Sequence, residues 1–74
     1  MINIHDPQGQ LTERETQIIQ ATLLTYQAAL LASLGSGNVG KWQTSPELRE
    51  AVVIGVNQFA HTCFPDLEIT YTLP

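Results

Sequence analysis

Seventy-four residues with a single cysteine, Cys63, make one domain that no internal disulfide can staple, and a core of that size rarely supplies more than about 3–5 kcal/mol of stability. Three basic residues (Arg14, Lys41 and Arg49) against seven acidic ones leave a net charge of −4. That balance sets nucleic acid aside as a partner, because even non-specific binding relies on Lys and Arg displacing counterions.

The chain is expected to hold one domain over residues 1–74, opening with a strand and turn over 1–10. Met1 to His5 puts Ile2 and Ile4 on one face, and Asp6-Pro7-Gln8-Gly9 breaks the strand. The opening MINIHDPQGQ has neither the basic start nor the apolar run of a secretory signal. Together with a lone thiol, this gives a cytoplasmic expectation.

A first helix is predicted over 12–34. Thr12 is its N-cap with Glu15 three positions on, the pattern of a capping box, and Gly35-Ser36-Gly37 ends it. From Thr16 to Gly40 there is no charged residue, which raises the question of a membrane span. Gln20, Thr22, Thr25, Tyr26 and Gln27 recur along that stretch, which suits a helix buried in protein, so a membrane is not an expected partner.

A glycine-rich loop follows over 35–44. Gly35-Ser36-Gly37-Asn38-Val39-Gly40-Lys41 fits the first seven positions of a phosphate-binding loop, but Trp42 stands where a hydroxyl should hold magnesium and a helix precedes it where a strand should. The segment is taken as a connector, and no cofactor is expected. Ser45-Pro46-Glu47 then announces a second helix over 45–63, closed before Pro65. The last strand, 67–73, alternates Leu67, Ile69, Tyr71 and Leu73 with Glu68, Thr70 and Thr72. Its edge can pair with Met1–His5, with a symmetry mate, or with another protein's sheet.

The fold class that follows is α+β and mainly helical, a β-α-α-β chain with a helical hairpin core and short terminal strands. On the second helix Leu48, Val52, Val56, Phe59, Ala60 and Cys63 form the buried face, opposite Glu50, Asn57, Gln58 and His61. The first helix has two apolar seams, Ile19-Leu23-Tyr26-Leu30 and Ala21-Leu24-Ala28-Leu31, and so needs two neighbours.

Catalytic and metal chemistry find little support. His61, Cys63, Asp66 and His5 match no common zinc spacing, and no nucleophile has a histidine placed to activate it. Glu13, Glu15, Glu47 and Glu50 gather at helix starts, where the helix dipole accounts for them.

The expected role is therefore a small non-enzymatic adaptor or regulatory domain that binds another protein. It is expected to be homodimeric through the first helix, with the C-terminal strand as a second candidate contact. Ile19, Leu23, Tyr26, Leu30, Lys41, Trp42, Ile69 and Tyr71 are its candidate partner-binding residues. Trp42 has a second reading, in which the indole closes the end of the helix pair.

Two alternatives accompany it. A short N-terminal strand followed by two helices in a dimer resembles a ribbon-helix-helix protein, which would imply a nucleic-acid regulator. The chain departs from that pattern in having no Arg or Lys in Met1–His5, a longer first helix and a C-terminal strand. The other alternative is a structural subunit of a larger assembly such as a phage or virus particle.

Overall fold

The computed structural model describes residues 1–34 and 42–73. Its elements run β1 (Ile2–His5), α1 (Glu13–Ser33), a 3-10 turn (Trp42–Thr44), α2 (Pro46–Cys63) and β2 (Glu68–Tyr71). The β-α-α-β order is the expected one. Lys41 and the rest of the glycine-rich segment 35–41, with its resemblance to a phosphate-binding loop, lie outside the described residues.

Local chemistry sets the helix boundaries. Thr12 Oγ1 accepts from the Glu15 N–H at 3.1 Å while Glu15 Oε1 accepts from the Thr12 N–H at 3.0 Å, so both halves of the capping box form. Ser45 Oγ accepts from the Leu48 N–H at 3.4 Å, and Pro46 fills the first turn of α2. Between β1 and α1, Gly9 takes a φ of 68°, which only glycine adopts without strain, and its N–H donates to the Asp6 carbonyl.

β1 and β2 pair antiparallel, with Ile2 opposite Tyr71, Asn3 opposite Thr70, Ile4 opposite Ile69 and His5 opposite Glu68. Of the pairings open to the last strand, this is the one observed. The Thr72 N–H donates to the Met1 carbonyl at 2.8 Å, and the Met1 ammonium donates to the Thr72 carbonyl. Alternation along the ladder then makes Met1–Thr72, Asn3–Thr70 and His5–Glu68 the pairs that exchange hydrogen bonds. Ile2 and Ile4 therefore turn their backbone groups to the outer edge of β1, as Ile69 and Tyr71 do at the outer edge of β2.

The β2 edge is occupied by a side chain of α2. Asn57 Oδ1 accepts from the Tyr71 N–H and Asn57 Nδ2 donates to the Tyr71 carbonyl, both at 2.9 Å. Nδ2 also donates to the Val53 carbonyl at 2.8 Å. The amide stands in for one peptide unit of a third strand. This corrects the expectation that Asn57 faces solvent: it is half-buried, between helix and sheet.

The core is the cluster Ile19, Leu23, Leu31, Trp42, Val52, Val56, Ala60, Ile69 and Tyr71, with Leu23, Val52 and Val56 fully enclosed. Ile69 and Tyr71 reach it from one face of β2, where Glu68 and Thr70 are exposed. Gly55 lets the helices close together, since a Cβ there would stand 2.6 Å from Leu30 Cδ2. Stacked Tyr26 and Phe59 rings, 4.1 Å between centroids, join α1 to α2. Two further positions differ from expectation. Leu31 belongs to the core and not to a second seam, and Cys63, the last residue of α2, is exposed beyond the buried Ala60.

Asn57→Ala should lower stability by about 2 kcal/mol in urea denaturation, because it leaves the Tyr71 N–H and C=O unsatisfied beside the core. Glu68→Ala, on the exposed face of the same strand, should change it by no more than about 0.5 kcal/mol. Equal effects would show that the amide does not seat the sheet.

Candidate functional site

Most of the residues expected to meet a partner are enclosed by the chain itself. Ile19, Leu23, Trp42, Ile69 and Tyr71 are buried, and Tyr26 and Leu30 are half-buried between the helices. The Trp42 indole packs into the core, which is the second of the two readings the sequence offers for it. Tyr71 also donates its hydroxyl to Gln27 Oε1 of α1. Burial pushes that phenol above its ordinary pKa, so it stays a neutral donor.

With this seam consumed, what α1 offers to another molecule is its outer face. Ile18 is 55 % exposed and Leu24 51 % exposed. They flank a stripe of small residues, Ala21, Thr25, Ala28, Ala29 and Ala32, all exposed. Ile18, Ala21, Thr22, Thr25, Tyr26, Ala29 and Phe59 line a shallow groove on one flank, largely apolar in its walls. On the opposite flank Leu24 and Gln20 share a second cleft, of about 340 Å³, with Met1, Ile2, Trp42 and Tyr71.

The threonines make this face inexpensive to dehydrate. The Thr22 hydroxyl donates to the Ile18 carbonyl at 2.8 Å and the Thr25 hydroxyl to the Ala21 carbonyl at 2.9 Å. Each hydroxyl is already satisfied one turn back on its own helix, so a partner covering the groove meets methyl groups and leaves no donor stranded. This outer face lies nearly opposite the seam Ile19-Leu23-Tyr26-Leu30 and holds Ala21, Leu24 and Ala28 of the second seam, whose fourth member, Leu31, is buried. Ile18, which neither seam includes, is signalled only by the lack of charge from Thr16 onward.

A third cleft, at the far end of the hairpin, is mixed: Asp6, Glu15 and Asp66 line it together with Leu11, Phe64 and Leu67. Its main carboxylate is structural: Asp6 Oδ2 accepts from the Gln10 and Leu11 N–H groups and Oδ1 from Gln8. Backbone hydrogen bonding, first from Leu11, holds Asp6 below its ordinary pKa, and the Thr12 backbone and hydroxyl do the same for Glu15. Among the described residues no three His, Cys, Asp or Glu side chains converge to hold a metal ion. Among them, too, no helix is long and apolar enough to cross a membrane.

The depressed Asp6 carboxyl fixes a sign. Its contribution is present above the unfolded carboxylate range and lost as pH falls through the folded value. Asp6→Asn, which cannot accept as the charged group does, should be less stable than the wild type at neutral pH, and the gap should close as pH is lowered through the acid range. Thermal unfolding across that range checks it; a gap independent of pH would show that the carboxylate charge is not what orders the loop. Compared with protein-family models, curated proteins and solved structures, the chain matches none.

Proposed function

We propose that this chain is a small, non-enzymatic protein-interaction domain that associates with a second copy of itself. The Leu24 flank of α1 supplies the self-contact, and the Ile18–Tyr26–Phe59 groove on the opposite flank receives an apolar side chain of another protein. The observation that carries this reading is the outer face of α1: large aliphatic side chains on both flanks, small residues between them, hydroxyls satisfied internally and no charge.

A symmetric pair is the simplest cover for these exposed aliphatic side chains, since twofold dimers are the commonest oligomers. The C-terminal strand is set aside as the self-contact, because Asn57 already occupies its outer edge at Tyr71. An exposed Cys63 thiol fits a reducing compartment, hence the cytoplasm.

The nucleic-acid reading gains no support from β1. Its outward side chains are Asn3 and His5, with no Arg or Lys to meet bases or phosphates.

Sedimentation equilibrium should return about twice the monomer mass. Leu24→Glu should bring it to the monomer value with the helical signal in circular dichroism kept, because Leu24 lies outside the core. Leu23→Ala, at a fully enclosed site, should instead cost about 2–5 kcal/mol of stability. A wild type that sediments as a monomer at high micromolar concentration would overturn the self-association.

A further inference from the structure

We infer that β1 is the pairing edge of the dimer: the outward backbone groups of Ile2 and Ile4 bond to those of Ile4 and Ile2 in a second copy, fusing two small sheets into one of four strands. This rests on the self-association proposed above and names its interface.

The sheet has two edges, and they differ. At β2 the Asn57 amide already satisfies both outward groups of Tyr71. At β1 no described side chain bonds to the backbone of Ile2 or Ile4, and the strand, Ile-Asn-Ile-His, carries none of the lysines, prolines or bulges that protect open edges. The edge is also self-complementary. A twofold axis through Asn3 sets Ile2 against Ile4 of the copy and Ile4 against its Ile2, each pair exchanging two hydrogen bonds. Neighbouring twofold registers align only one such pair, so the axis at Asn3 satisfies the most backbone.

What lies beneath the edge completes the fit. Because β2 is the strand clamped to α2, β1 lies on the side away from it, where Ile2 shares a cleft with Leu24 and Gln20 of α1. A strand added beside β1 turns its own Ile2 and Ile4 toward that flank, and so covers Leu24 with apolar side chains. β1 contains no carboxylate, so two chains of net charge −4 meet along a segment free of like charge.

The axis residue allows a direct test. Asn3 would face its symmetry mate in a pair without backbone hydrogen bonds, with Cα atoms about 4.5 Å apart, within the reach of a disulfide. In a Cys63→Ser background, Asn3→Cys should cross-link to a dimer within minutes under mild oxidation. Thr70→Cys, on the same exposed face but about 14 Å from its mate, should stay monomeric on a non-reducing gel. Ile4→Pro removes an N–H that β2 does not use, so it should abolish the dimer while leaving the helical spectrum unchanged. A dimeric wild type whose Asn3→Cys cross-links no faster than Thr70→Cys, or whose Ile4→Pro variant stays dimeric, would overturn pairing through β1 and leave self-association standing. A monomeric wild type would overturn both.

Discussion

Two hydrogen bonds between the Asn57 amide and the backbone of Tyr71, one donated and one accepted, hold the sheet against the helices. Strands of four residues in a two-stranded sheet are too short to persist in water unaided. The sheet therefore depends on what seats it, and Tyr71 concentrates those contacts: its backbone is held by α2, its hydroxyl by Gln27 of α1, and its ring lies in the core. The same clamp makes the edges unequal. One is capped at Tyr71 by a side chain of the fold, and at the other no described side chain bonds to the outward backbone groups.

Much of the architecture was legible because its signals are local. Thr12 with Glu15, Ser45 with Pro46, and the alternation from Leu67 to Leu73 each encode a boundary or a period that needs no knowledge of the rest of the chain. Asn57 was illegible for the opposite reason. A polar residue on a helix is assigned to water by pattern, and nothing in the pattern reveals that the side chain has the geometry of a peptide unit and a strand to pair with. Cys63 misled in the same manner, since helical spacing extends the apolar face past Ala60 although the core ends before the helix does.

The apolar outer face of α1 was legible in part: the sequence pattern puts Ala21, Leu24, Ala28 and Leu31 on one seam, of which the first three are exposed and Leu31 is buried. An apolar excess on α1 is plain from composition, and the structure retains it. Periodicity cannot decide where along a wide apolar arc the core is centred, because adjacent positions differ by about 100° and several centres bury similar area. Packing decided it: Gly55 admits Leu30, Phe59 stacks on Tyr26, and the helix turns so that Leu23 and Leu31 go inside while Ile18 and Leu24 stay out.

The bonds between Met1 and Thr72 span 71 positions of chain. Closing a loop of that length before anything else has formed is entropically unfavourable, whereas the helices need only short-range contacts. The sheet should thus be the last part of the fold to assemble, after the hairpin has brought its halves within reach. During that interval both strands are unpaired. A neighbouring molecule at the same stage could accept either one, so crowded synthesis would raise the share of exchanged strands relative to dilute refolding.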